Sequence, residues 1–268
     1  MKPAACAFLL LLSVSSASAQ TPSRAQLVFT ILAGAVTGHS LWDVPIQPVA
    51  VLDASGQPTG VNDTVHLQRE VTSSIVVGAS ATYFFSPHYG MHAEISYLGL
   101  PYDDSCTGTF HPDPGSKNQQ VCDDIASRSG AGGSISLYLG ATLRAAPGGS
   151  LSPYLRGNIG IVTVPHSSVA MIGNFFPGPQ QIPFISDPSP RSSGPMFGLA
   201  AGFTQPLGRD GGYQFRLEAR DVISSFERVT GQADPVTLLA PTEIKSYHHF
   251  ALVLGLDVVL EQSRGRRY

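Results

Sequence analysis

Apolar and polar residues alternate with a period of two along much of the chain. Residues 213–220 read YQFRLEAR, with Tyr, Phe, Leu and Ala at odd positions and Gln, Arg, Glu and Arg at even ones. This period is typical of a β-strand with two unlike faces. Helical periodicity is missing throughout, so we predict an all-β fold. The predicted strands are 26–37, 70–84, 90–98, 132–144, 152–163, 196–205, 213–225 and 247–260.

The connections between these strands alternate strictly between short and long. The short ones are SPH at 86–88, AAPGGS at 145–150 and PLGRDGG at 206–212. The long ones are 38–69, 99–131, 164–195 and 226–246. Bacterial outer-membrane barrels have short periplasmic turns and long extracellular loops. Long unstructured loops count against a compact soluble domain, which has no reason to place all of them at one end.

The composition of the polar faces decides which side of each strand meets water. These faces are Gly, Ser, Thr and Ala with a few Arg and Glu, and charged residues are only 13% of the chain. Small residues suit the narrow interior of an eight-stranded barrel, which side chains just fill. We therefore predict that the apolar faces contact lipid. The representative lipid-facing residues are Phe215, Leu217, Phe250, Leu252, Leu254 and Leu256.

Aromatic residues mark the predicted strand ends, as expected at a membrane–water boundary. General enrichment of aromatic residues in strands is the alternative explanation. Those beside short turns are Tyr83, Phe85, Tyr89, Phe203 and Tyr213, and those toward long loops are Tyr97, Phe226 and Tyr247.

The first 19 residues have the pattern of a secretory signal peptide. Lys2 precedes an apolar run at 4–14, and ASA at 17–19 forms a small-residue cleavage site. We predict cleavage between Ala19 and Gln20, leaving residues 20–268 as a single β-barrel domain. The most apolar later stretch, at 27–36, is about half the length of a membrane helix.

Taken together, the eight two-faced strands, the alternating connections and the final segment HHFALVLGLDVVL resemble the small eight-stranded outer-membrane β-barrels of the OmpA and OmpX type. The resemblance covers residues 26–260. It implies an antiparallel up-and-down transmembrane barrel in the bacterial outer membrane. It also implies contact with outer-membrane lipids and lipopolysaccharide, and insertion by the barrel-assembly machinery. No local motif carries the resemblance, so it indicates the fold better than the function.

Charged side chains on the inner faces require partners, because an unpaired charge in a narrow interior is costly. Arg216, Glu218 and Arg220 point into the predicted lumen. We expect a polar network that fills the barrel, with Arg216 paired to Asp257, and a filled lumen argues against a wide pore. The other expected members are His92, Glu94, Arg144 and Arg156.

Cys106 and Cys122 are the two cysteines left after signal removal, and both lie in the second long connection. In an exported chain this pair predicts a disulfide. A metal pair is the alternative, although no His or Cys spacing suits zinc. The flanking acids at 103–104 and 123–124 raise the possibility of a Ca²⁺ site, and acidic loops are also common solvated features. We predict no cofactor and no resident metal.

No catalytic motif is present: GxSxG, a phosphate-binding glycine loop and HExxH are all missing. His248 and His249 are neighbours on one strand, so they point to opposite faces. The net charge of −3 gives no reason to expect nucleic acid. We predict a non-enzymatic outer-membrane barrel whose long loops contact an extracellular ligand or maintain the envelope. The alternatives are a narrow porin-like channel for ions or small solutes, a lipid-modifying enzyme with Ser, His and an acid near the rim, and a soluble lipocalin-like barrel.

Overall fold

The computed structural model describes residues 25–53, 57–111, 117–130, 133–147, 149–163, 166–175, 180–208 and 212–261. The predicted signal peptide and its cleavage site at Ala19 and Gln20 lie outside these residues. In chain order the elements are β1 (Gln26–Val36), β2 (His39–Leu52), β3 (Pro58–Val71), β4 (Ser74–Phe84), β5 (Tyr89–Gly99), β6 (Tyr102–Thr109), α1 (Lys117–Ser127), β7 (Ser129–Gly130), β8 (Gly133–Arg144), β9 (Ser152–Thr163), β10 (Met171–Phe175), β11 (Gln180–Ile185), β12 (Ser193–Leu207), β13 (Tyr213–Val229) and β14 (Thr242–Glu261).

Eight strands form a closed antiparallel barrel in the order β1-β14-β13-β12-β9-β8-β5-β4, and β4 pairs with β1 to close it. This confirms the predicted eight-stranded up-and-down fold. The largest differences from the predicted boundaries are at three strands. Residues 70–71 belong to β3 rather than to the barrel, and β13 and β14 extend well beyond the other strands, which leaves only residues 230–241 as the last long connection.

The side chains alternate between the barrel exterior and interior as the period of two requires. Phe250, Leu252, Leu254 and Leu256 are exposed, and Phe215 and Leu217 are partly exposed. Interior positions on the same strands are buried. This arrangement is the reverse of a soluble protein, where the apolar face is the covered one.

The aromatic residues divide into two groups. Tyr83, Phe85, Tyr89, Tyr97 and Tyr213 are exposed on the outside of the barrel, and Phe203 is partly exposed. Phe226 and Tyr247 are only 2% and 7% exposed, so the expectation that they mark the outer boundary was wrong. They occupy inward positions on the extensions of β13 and β14, where they pack under the folded connections.

Most of the long connections are folded, which corrects the expectation of unstructured loops. They supply a four-stranded sheet in the order β2-β3-β6-β7, the hairpin β10-β11 and helix α1. The absence of helical periodicity did not predict α1, but among the described residues the fold is all-β with this one short helix. No helix among the described residues is long and apolar enough to cross a bilayer. We call these elements, together with residues 230–241, the cap.

A disulfide fixes the helix of the cap to its sheet. Cys106 on β6 bonds to Cys122 on α1, with a Cα–Cα distance of 5.2 Å. Val121 and Ile125 of α1 are fully buried beside it. Disulfides are typical of exported chains. This one joins β6 to α1, two elements of the predicted long connection 99–131.

The cap and the upper barrel share one hydrophobic core. Tyr247 of β14 donates a hydrogen bond to the Leu41 carbonyl at 2.7 Å. The indole N–H of Trp42 donates to the Ser168 carbonyl at 2.8 Å, and the Ser168 hydroxyl donates to the Glu227 carbonyl at 2.6 Å. Buried polar groups need such hydrogen-bond partners. The first bond joins β14 to β2, the second joins β2 to the connection that contains Ser168, and the third joins that connection to β13.

Candidate functional site

The lower half of the lumen holds six buried charged side chains whose formal charges cancel. Arg216 of β13 forms a two-pronged ion pair with Asp257 of β14, with Nε–Oδ1 and Nη2–Oδ2 distances of 2.9 and 2.7 Å. Thr30 donates to the same carboxylate at 2.8 Å. The sequence places these side chains on inner faces, and the register of β13 and β14 brings them together.

Arg220 lies between two glutamates, and the cluster that they form with Tyr154 links three strands. Its Nη1 and Nη2 are 2.5 and 3.1 Å from the Glu94 carboxylate oxygens, and its Nε donates to Glu218. Tyr154 donates its phenolic proton to Glu218 Oε2 at 2.6 Å. Charge-assisted bonds of this kind are about twice as strong as neutral ones, so they hold β5, β9 and β13 in fixed positions around the lumen.

Arg156 is held more loosely than the other two arginines. Its Nη1 is 3.5 Å from Glu94 and 3.7 Å from Glu218, and no nitrogen of its buried guanidinium has a hydrogen-bond partner among the described residues. Ser80, Thr82 and Asn158 also have buried oxygens without described partners. The interior around Arg156 is therefore the least satisfied polar region of the barrel.

Two further expected members of the network, Arg144 and His92, form no ion pair with a carboxylate among the described residues. Arg144 sits at the end of the barrel that carries the short turns and donates to Gln26 Oε1 at 3.2 Å and to the Pro87 carbonyl. It lines the same small cavity as Asp257, at the edge of the ion network. It is the last residue of β8, where the guanidinium reaches the turn at 85–88. His92 is buried and its Nδ1 lies 3.2 Å from the Thr142 hydroxyl.

Above the charged layer the lumen is mainly apolar and filled. A Ser–His pair lies at this level: the Ser224 hydroxyl is 2.7 Å from His249 Nε2. The sequence did not reveal this pair because the two residues lie on different strands. The side chain of His249 is fully buried, so a substrate does not reach it. Its Nδ1 has no hydrogen-bond partner among the described residues, so no carboxylate orients the imidazole as in a catalytic triad. The apolar residues of this layer are Leu32, Val36, Val76, Leu98, Val162, Met196, Val222 and Val253.

His39, the first residue of the cap, contacts this layer from above. Its ring stacks on Tyr247 with 4.6 Å between ring centroids and meets His249 edge-on at 4.7 Å. Burial, and then the nearby Lys245 ammonium, lower the pKa of His39 below its usual value. Lowering the pKa means that the folded cap favours the neutral imidazole.

One ionisable pair lies on the outside of the barrel, which sequence reasoning also missed. His248 Nδ1 is 2.8 Å from Asp221 Oδ2, and the imidazole stacks on Phe250. The Ser246 hydroxyl, on the same face of β14, lies 3.2 Å from that of Ser225. His248 and His249 thus face opposite sides of β14, as expected from a strand.

The acids of the cap are engaged in separate contacts rather than one site. Asp104 pairs with Arg69 at 2.6 and 2.7 Å. Asp124 pairs with Arg128 and accepts a hydrogen bond from the Asn174 backbone at 2.6 Å. Among the described residues no three His, Cys, Asp or Glu side chains are placed to hold a metal ion.

The fold, surface and interior define an integral outer-membrane β-barrel. An even number of antiparallel strands closes on itself, the exterior is apolar with aromatic residues near the short turns, and the interior is polar and charged. This combination is the one that bacterial outer-membrane barrels use to span their membrane. The connections with the cap then lie on the extracellular side.

Several solved outer-membrane barrels are similar in shape. OprG from Pseudomonas aeruginosa is 12% identical with a TM-score of 0.45, covering 89% of this chain and 97% of that chain. Outer membrane protein AlkL in lipid bilayers is 12% identical with a TM-score of 0.44, covering 93% and 96%. The N-terminal β-barrel domain of Pseudomonas aeruginosa OprF is 9% identical with a TM-score of 0.38, covering 87% and 97%.

No protein-family model matches the chain, and no curated protein matches it. The assignment to the outer-membrane barrels therefore rests on the closure, surface and interior of the barrel itself.

Proposed function

We propose that this chain is a non-catalytic outer-membrane barrel that presents a folded cap to the exterior. In this proposal residues 20–268 form one mature domain, and the outer surface of the cap contacts an extracellular ligand or helps maintain the envelope. The observation that carries the proposal is the shared core of cap and barrel. Connections that serve only to join strands have no need of a common core.

The energetics of the cap support a specific, rigid surface. Trp42, Leu67, Met171 and Phe184 are each at most 3% exposed, and burying a large apolar side chain contributes about 1.5–3 kcal/mol. This burial offsets the entropy of ordering the connections. A surface held in one conformation binds a partner without the cost of ordering itself first.

The filled lumen supports a closed barrel rather than a wide pore. The balanced ion network occupies the lower half and the apolar layer occupies the upper half. The narrow channel is the second candidate, and the loosely held Arg156 with its buried hydroxyl neighbours is the observation that favours it. Polar groups without direct partners are what a hydrated path requires.

Conductance in planar bilayers separates these two candidates. We expect the wild-type barrel to give no discrete conductance steps, and an Arg156→Ala/Tyr138→Ala variant, which widens the lumen, to give them. Steady steps from the wild type would support the channel instead. Slower gel migration after boiling than before checks that each variant is a folded barrel.

The role of the cap is tested in cells. A strain without the protein is complemented with wild type or with a Cys106→Ser/Cys122→Ser variant, and uptake of a large hydrophobic dye is measured. Restored exclusion by both proteins would support envelope maintenance by the barrel alone. Restoration by the wild type only would assign the role to the folded cap.

A further inference from the structure

The Asp221–His248 pair lies on the lipid-facing surface rather than in the solvated cap. Asp221 is eight residues from Tyr213, which marks the boundary beside the short turn. At about 3.3 Å per residue and a tilt of about 40°, it lies roughly 20 Å above that boundary. The apolar band of such barrels is about 25 Å tall, so the pair is just inside its extracellular edge.

The neighbours of Asp221 confirm that its surroundings are apolar. Leu199 on β12 and Phe250 on β14 are its direct cross-strand partners, and both are more than half exposed to the outside. Ile223 and Phe197 continue the apolar surface one row farther out. An ionisable residue in this setting is expensive and marks a functional site by default.

A groove on the same surface ends at this pair. It has a volume of about 820 Å³ and crosses β5, β8, β9, β12 and β13. The small residues Ala141, Gly157, Ala201 and Ala219 line it, with Tyr89 at one end and Asp221 and Phe250 at the other. The groove thus crosses the strands obliquely, from the level of the aromatic boundary up to the level of the carboxylate, and an acyl chain in the apolar band passes through the same levels.

A second groove on the barrel serves as an internal comparison. It has a volume of about 1060 Å³ and is lined on the outside by apolar side chains such as Ile31, Ile95 and Phe197. The two ionisable residues in its lining, Glu94 and Tyr138, are both buried on the inner face. Both grooves are lined on the outside by apolar side chains, and of the two only the first has an outward-facing ionisable residue, at its extracellular end.

We propose that the first groove is a specific site for an acyl chain of lipopolysaccharide, bound through a hydrogen-bond donor at the head of the chain. Asp221 accepts this bond, and His248 is a positioning residue that holds the carboxylate. The depth of the Asp221–His248 pair in the membrane determines which groups of the lipid it can bind. Hydroxyl and amide N–H groups of hydroxyacyl chains lie at the chain–sugar junction, whereas phosphates and ammonium groups lie farther out.

The test measures lipid A retained by the mature full-length protein. The protein is refolded in phosphatidylcholine vesicles containing a minor fraction of lipid A, extracted with mild detergent, and its bound lipid is quantified by mass spectrometry. Asp221→Leu removes the acceptor and suits a lipid-facing position. Gly157→Phe fills the groove, since a Cβ there meets only the Leu199 side chain, at 4.0 Å. Ala93→Phe in the second groove is the matched control.

We expect Asp221→Leu to retain roughly tenfold less lipid A, the effect of losing one charge-assisted hydrogen bond. Gly157→Phe should also retain less, because the groove is filled, and the control should match wild type. Gly157→Leu replaces Gly157→Phe if the larger variant does not give the compact unboiled band. Equal retention by all variants would overturn the proposal, because the contact would then be nonspecific. In a second set of vesicles, phosphatidylethanolamine replaces lipid A at the same fraction, and equal retention of it would overturn the depth argument. Release of free fatty acid by the wild type would overturn the proposal, because Asp221 and His248 would then be a catalytic pair.

Discussion

At the scale of single residues, the pairing of inner charges determines the stability of the barrel. Arg216 and Asp257 are both nearly fully buried, and each satisfies the other. Removing one partner leaves an uncompensated buried charge, which costs far more than the pair contributes over an apolar substitute. The ion network is therefore a strong constraint on single substitutions.

We expect Arg216→Met to lower the free energy of unfolding by about 3–5 kcal/mol, because Asp257 loses its partner. The measurement is urea unfolding of the refolded barrel in lipid vesicles. Arg228→Met is the control, since Arg228 pairs with Glu243 at an exposed position and should change stability by about 0–1 kcal/mol. A double-mutant cycle of Arg216→Met with Asp257→Asn that gave no coupling would contradict the pairing.

Sequence gives the face of a residue but not its partner across the barrel. Arg216, Glu218 and Arg220 are assigned to the lumen by the period of two. The contacts of Arg220 with Glu94, 126 positions away, depend on the closure of the barrel and on its size. The Asp221–His248 and Ser224–His249 pairs depend on the register of β13 and β14, which the period does not fix.

At the scale of elements, the barrel strands are predictable and the cap strands are not. Regular alternation marks the barrel strands because each one has lipid on one side and the lumen on the other. In β2, Pro45 and Pro48 interrupt the strand, and its pairing with β3 shifts register in three places. Helix α1 buries Asn118, Val121, Cys122 and Ile125, which follow the i, i+3, i+4, i+7 spacing of a helix, but the first of them is polar and the helix spans only 11 residues, so the pattern is short in the sequence.

We expect loss of the disulfide to loosen the cap and leave the barrel closed. The bond joins residues 16 positions apart, and closing such a loop contributes roughly 3 kcal/mol. In the Cys106→Ser/Cys122→Ser variant, trypsin should cut faster at Lys117 and Arg128, which flank α1. The heat-dependent gel shift should persist, and its loss would mean that the cap supports the barrel itself.

The contact between cap and barrel should weaken in acid. The pKa of His39 is lowered in the folded protein, so the neutral imidazole stabilises the fold. This contribution to stability is fully present above the usual pKa of 6.5 and is lost as the pH falls through the folded-state pKa. We expect the cap of the His39→Gln variant to lose less thermal stability between neutral and acid pH than wild type. His66→Gln is the control, because His66 is exposed beside Asp43. Equal acid sensitivity in both variants would exclude a role for His39.

At the scale of the whole molecule, the same exposed fraction of a side chain means contact with lipid on the barrel and contact with water on the cap. Leu254 and Ile46 are 51% and 55% exposed, yet Leu254 faces lipid and Ile46 faces water in the proposed orientation. We expect Leu254→Arg to cost about 2–4 kcal/mol near the midplane of the bilayer. Ile46→Arg should change stability by at most about 0.5 kcal/mol.

Unfolding in lipid vesicles measures both substitutions on the same scale. Equal costs would mean that both side chains contact the same medium, which contradicts a membrane-spanning barrel. A large cost at Leu254 alone is the result that the closed barrel with its apolar exterior requires.

The shared core of the cap has a consequence for evolution. Where each surface loop stands alone, one loop can change its sequence without affecting the others. Here Trp42 and Ser168 come from two connections and Glu227 from the extension of β13, and consecutive hydrogen bonds link the three, so a change in one of these segments constrains the other two. Sequence drift in descendants of this chain should therefore concentrate at exposed tips such as residues 57–61, while buried positions of different connections change together.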